Sequence, residues 1–116
     1  MHVTRTVGYD VESFRSTGVR MEALPPTDDR GVQVHVAHVA AGGTIGRHPA
    51  VRSQAFVVVS GTATVAGHDG GRRELGAGEM VVWAPGEQHQ TWAVTDLVAV
   101  VVECDRPFDL VAHLPH

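Results

Sequence analysis

Two stretches of the chain are apolar at every position: Ala55-Phe56-Val57-Val58-Val59 and Leu97-Val98-Ala99-Val100-Val101-Val102. A strand with one wet face alternates apolar and polar residues, so these unbroken runs predict strands with both faces out of water. Around them lie further segments rich in β-branched and aromatic residues. The full set of predicted strands is Val32 to Ala40, Gln54 to Val59, Thr62 to Ala66, Arg72 to Leu75, Met80 to Trp83, Gln88 to Val94 and Leu97 to Cys104. Turn residues punctuate them at Ala41-Gly42-Gly43, Ser60-Gly61, His68-Asp69-Gly70-Gly71, Gly76-Ala77-Gly78, Ala84-Pro85-Gly86 and Thr95-Asp96. No segment joins helical spacing to a cap before it and a glycine after it. Short strands with closely spaced turns predict an all-β fold, a small sandwich or barrel.

The ends are less regular. Val3 to Tyr9 predicts an edge strand, and Leu24 to Gly31 is a polar connection carrying Pro25 and Pro26, so residues 1–31 are expected to form an arm packed on a barrel of residues 32–116. Pro107 to Leu114 predicts a short strand or one helical turn. The second apolar face of strands 55–59 and 97–102 needs a cover, from the arm or from a second copy of the chain. A homodimer is therefore expected.

Composition narrows the function classes. At 116 residues the chain suffices for one hydrophobic core. Nine basic against 13 acidic residues give a net charge of −4, and every basic residue is an Arg, scattered apart from Arg72-Arg73. Nucleic acid is not an expected partner. No apolar run approaches the roughly 18 residues of a membrane span. The opening MHVTRTVGYDVESFRS lacks a basic segment followed by an apolar one, so a cytoplasmic location is the default expectation. A single cysteine, Cys104, excludes an internal disulfide and reads as an inert thiol at the end of an apolar strand. The 8 histidines are the compositional outlier.

Two of these histidines fall in spaced motifs. From Gly42 the chain runs five residues to His48, one more to Ala50, three to Gln54 and six to Gly61. From Gly78 it runs through EMVVW to Ala84, Pro85 and Gly86, then two residues to His89 and three to Ala93. The two segments resemble the signatures of the cupin superfamily, G-x5-H-x-H-x3-4-E-x6-G and G-x5-P-x-G-x2-H-x3-N, whose three His and one Glu are metal ligands. Spacing is intact in both. Identity departs at Ala50, where a second His is expected, at Gln54 for Glu, at Ala84 for Pro and at Ala93 for Asn. The resemblance implies a small one-domain cupin, an antiparallel β-barrel of the double-stranded β-helix or jelly-roll type. It also implies a divalent transition metal (Fe, Mn, Ni, Zn or Cu) held by His48, Gln54 and His89. An oxygen-rich small molecule would then bind in the barrel mouth and undergo dioxygen insertion, enolate isomerisation or decarboxylation.

The residues support that picture on their own terms. Pro49 keeps His48 extended, so its imidazole projects from a strand. Residues 49–53 reverse the chain and carry Gln54 onto a neighbouring strand about 4.8 Å away. Two imidazoles and an amide oxygen are neutral donors that leave an octahedral ion open positions and its full charge. An imidazole introduced at Ala50 is expected to reach the same ion. Glu87, beside the second motif, is a candidate proton carrier. His35 and His38 are three apart on one strand, hence on opposite faces, and whichever points inward is placed to replace the donor missing at Ala50. His68 falls in an exposed hairpin, and His2, His113 and His116 carry no signal. Trp83 and Trp92 flank the second motif and read as packing residues. Without metal, the same three side chains would hydrogen-bond a sugar or a carboxylate, or the mouth would be filled by side chains in a structural or sensory domain.

Overall fold

The computed structural model describes residues 1–113; the end of the predicted 107–114 segment and His116 lie outside the described residues. Nine strands follow in order: β1 (Val7–Val11), β2 (Thr17–Ala23), β3 (Val32–Pro49), β4 (Ser53–Ser60), β5 (Ala63–Ala66), β6 (Arg72–Leu75), β7 (Met80–Trp83), β8 (Gln88–Ala93) and β9 (Leu97–Cys104). A helical turn, α1 (Leu110–His113), follows them. All pairings are antiparallel, and the ladder β6-β5-β8-β3-β9-β4-β7 wraps into a nearly closed barrel.

β3 organises the fold by belonging to both walls. Its first half pairs with β9 from Val32 to Val39 and with β2 from His35 to Val39; its second half, from Thr44 to Pro49, pairs with β8. The turn expected at Ala41-Gly42-Gly43 is therefore a bend inside one strand. Gly42 adopts φ +81, and a Cβ on Gly43 would lie 2.5 Å from the Thr17 carbonyl oxygen, so only glycine allows β2 this close. The arm also differs from expectation. Its edge strand falls at Val7–Val11, and Thr17–Ala23 forms a second strand that pairs with β3 and extends the sheet.

Strand alternation sorts the side chains. Along β9, Leu97, Ala99 and Val101 are buried in the barrel, while Val98, Val100 and Val102 face outward and are half-buried. Phe56, Val58 and Trp83 meet the inner β9 residues in the core. Each large apolar side chain fully buried there contributes about 1.5–3 kcal/mol. The outer face is covered in part by the chain's own C-terminal segment: Phe108 and Leu110 face Val57, Val82 and Val102 across a cavity of about 310 Å³. The arm, expected as a possible cover, lengthens the sheet edge instead.

Candidate functional site

His48, the penultimate residue of β3, sits directly opposite His89 of β8 in the ladder. Directly paired antiparallel residues share a face, so both imidazoles enter the barrel. Each ring is pinned through Nδ1. His48 Nδ1 lies 2.7 Å from the Gly46 carbonyl oxygen, and His89 Nδ1 lies 3.1 Å from that of Glu87. A carbonyl oxygen can only accept, so Nδ1 is the donor in both rings, which leaves Nε2 of a neutral ring as an acceptor.

The rings are also fixed from their flanks. Their centroids lie 4.3 Å apart with planes inclined at 55°. Trp83 stacks on His89 at 4.2 Å, and Phe14 stacks on His48 at 4.8 Å. Phe14 reaches that place through a 3-10 turn in which Phe14 and Arg15 both have left-handed backbone, at φ 56 and φ 58. The turn docks on β3 where Gly46 leaves room: a Cβ there would lie 1.6 Å from the Phe14 carbonyl oxygen. Gly46 N–H also donates to Ser16 Oγ at 2.9 Å.

His89 is 2% exposed, and its Nε2 is a buried side-chain atom without a hydrogen-bond partner among the described residues. Burial pushes its pKa down to about 4, against the opposing pull of the Glu87 carbonyl, with the adjacent His48 adding to the depression. The ring is neutral near pH 7. A buried acceptor left open costs about 1–3 kcal/mol.

A cavity of about 110 Å³ opens beside the two rings. Gln54, from β4, joins His48 and His89 in lining it, so the three predicted ligands come together. His35 lines it as well, whereas His38 lies on the outer face and bonds Glu22. Tyr9 and Met21 bring the N-terminal strands into the wall, and Glu103 supplies a carboxylate. Among the described residues the lining holds no Arg, and its acceptors include the Glu103 carboxylate, the Gln54 amide oxygen and His89 Nε2.

Two expected positions lie elsewhere. Ala50 is 3% exposed and packs in the hydrophobic core, away from the cavity lining; its N–H and C=O bond Glu87 and Gly86, locking the β3–β4 reversal to the next turn. The Glu87 carboxylate accepts from the Ala84 N–H at 3.1 Å and lines a neighbouring cavity behind Trp83. Glu87 meets the histidine site through its main-chain oxygen. Glu103 was legible in principle, since alternation from Leu97, Ala99 and Val101 sends residue 103 inward.

A cupin-domain family model matches residues 35–104, more than half of the chain. The chain belongs to the cupin domain family. Comparison with curated proteins finds no match. Among solved structures, this cupin is similar to an RmlC-like cupin from Shewanella frigidimarina, with 19% identity over 88% of this chain and 86% of that one and a TM-score of 0.75. KdgF from Halomonas sp. aligns at 22% identity over 90% of each chain, with a TM-score of 0.72. A "predicted oxalate decarboxylase" from Thermotoga maritima aligns at 18% identity over 89% of this cupin and 99% of its own chain, with a TM-score of 0.75. These likenesses establish the fold, which hosts many chemistries.

Proposed function

We propose that this cupin holds a divalent transition-metal ion through His48 Nε2, His89 Nε2 and the Gln54 amide oxygen, and presents it to a small oxygen-rich molecule. The observation that carries the reading is the orphan Nε2 of His89, paired with a second imidazole whose proton is also held away from the cavity. Fixing the Nδ1 proton on a carbonyl is how metal-binding imidazoles are commonly oriented. The two rings stand side by side in the cavity wall, with centroids 4.3 Å apart. Among the described residues no three His, Cys, Asp or Glu side chains cluster closely enough to hold an ion unaided, so the proposal depends on Gln54, which lines the same cavity, as third donor.

When bound, the ion would supply Lewis acidity toward a carbonyl or carboxylate oxygen. The chain's own residues do the rest. Trp83 and Phe14 hold the two rings from opposite sides, and the apolar walls from Ile45, Phe56 and Val101 limit water. The open cavity of about 110 Å³ has room for a small molecule. A metal-free reading is favoured by the absence of that three-residue cluster. On that reading the ligand donates hydroxyls to the acceptor-rich wall, and a carboxylate is disfavoured by Glu103 and the two lone pairs.

Elemental analysis and calorimetric titration of untagged protein with Ni²⁺ or Zn²⁺ test the proposal. One ion per chain in the parent is expected. A parent that takes up no divalent ion leaves the metal-free reading. We further propose a two-fold dimer through the outer face, where Val34, Val36, Val98 and Val100 are half-buried. Light scattering should give twice the chain mass; a mass near 12.4 kDa at micromolar concentration overturns the dimer.

A further inference from the structure

The metal ligand set proposed above contains no carboxylate, because position 54 of the motif is Gln. The strand register places a carboxylate immediately beside it. Gln54 of β4 stands directly opposite Glu103 of β9, and both line the cavity shared with His48 and His89. Two carboxylates facing each other across a ladder repel, so a Gln and a Glu are the compatible pair at these two positions. We propose that Glu103 is the acidic member of the site: it sets the charge of the cavity for a bound cation without bonding to it.

The lack of a tight donor cluster supports an outer role. His48, His89 and Glu103 do not form a three-donor cluster at bonding range. Glu103 is also free to face the cavity. Its ion-pair neighbour Arg52 approaches only to 4.0 Å, while the same guanidinium is committed to Asp105 at 2.9 Å and to the Arg30 carbonyl at 3.1 Å. A carboxylate across the cavity offsets part of a divalent charge and accepts a hydrogen bond from whatever completes the ion's shell. The acidic function that the family motif carries on β4 has thus moved one strand sideways, to β9.

This inference rests on the metal-binding reading, and relocating the charge separates the two. Calorimetric titration with Ni²⁺ would compare the parent with Glu103→Gln, Gln54→Glu and the double exchange Gln54→Glu/Glu103→Gln, each checked by thermal melting. Glu103→Gln is expected to weaken Ni²⁺ binding at least tenfold, and the double exchange to recover the parent affinity or exceed it. A merely structural role for Glu103 would lower the melting temperature and the Ni²⁺ affinity of Glu103→Gln together, whereas a charge-setting role weakens binding in a variant that melts as the parent does. Should Glu103→Gln fail to fold, Glu103→Asp and the double exchange decide: both are expected to retain binding. Glu103→Gln binding within twofold of the parent, or a double exchange that recovers nothing, overturns the proposal while leaving the ligand set standing. A parent that binds no Ni²⁺, Zn²⁺ or Fe²⁺ removes the metal reading and this inference together.

Discussion

His38 and His89 occupy opposite environments within one barrel. His38, on the outer face of β3, bonds the Glu22 carboxylate, which Thr6 also bonds; those hydrogen bonds, Thr6 first, hold the Glu22 carboxyl below its ordinary range. His89, on the inner face of β8, has one nitrogen satisfied by main chain and the other facing the cavity without a partner. The contrast separates a histidine that completes the fold's own hydrogen bonding from one whose bonding the fold leaves incomplete. A side chain of the second kind persists at a stability cost, and function is the usual reason such costs are retained.

The sharpest way to break this contrast is to remove one ring from each region. His48→Ala should lower Ni²⁺ or Zn²⁺ affinity at least a thousandfold, about 4 kcal/mol, whereas His38→Ala should leave affinity within twofold. Equal losses in calorimetry would show that position in the barrel does not govern binding.

Acid should separate the two regions next. The folded pKa of His89, about 4, lies below the unfolded value of 6.5, so the unfolded chain takes up the proton first. Stability is then complete above pH 6.5 and falls as pH drops toward 4, by roughly 3 kcal/mol for a shift of this size. His89→Phe keeps the stack on Trp83 and removes the open nitrogen. Denaturant titrations across pH 7 to 4 should show that slope in the metal-free parent and its loss in the variant, which should also gain about 1 kcal/mol at pH 7. An unchanged slope in His89→Phe assigns the acid sensitivity to other groups.

Ala50→His gives a smaller, opposite-signed test of where the cavity ends. Because Ala50 is core rather than wall, the imidazole should overpack, lowering stability by about 1–3 kcal/mol without improving metal affinity. A tenfold gain in affinity by titration would mean that position 50 reaches the ion after all.

Much of this was readable from the chain because period-two burial is a local signal. β4, β6, β7 and β9 lie within a residue or so of their predicted bounds, and the motif spacing brought His48, Gln54 and His89 to one cavity. Opposite faces for His35 and His38 followed from alternation alone. What the chain hid was tertiary. β2 contains Gly18 and alternating charge, and becomes a strand through pairing with β3. The stack of Phe14 on His48 depends on two successive left-handed residues that no propensity favours. Spacing aligned Ala50 with a ligand position, yet spacing cannot tell which way a side chain turns within a reversal; the hydrogen bonds to Glu87 and Gly86 decide that.

The dual membership of β3 also sets the timetable by which the protein acquires its shape. Apart from β2, every ladder on β3 is made with β8 or β9, strands that begin at Gln88 and Leu97. A growing polypeptide on the ribosome therefore carries β3 without its main partners until the last quarter of the chain has emerged. Pairings across such long sequence separations form slowly, on the order of milliseconds to seconds. His48 and His89 meet in the same ladder closure that joins the two walls. The cavity thus comes into being with the finished barrel, and a nascent chain that stops short of β8 lacks both walls' junction and one of the two imidazoles.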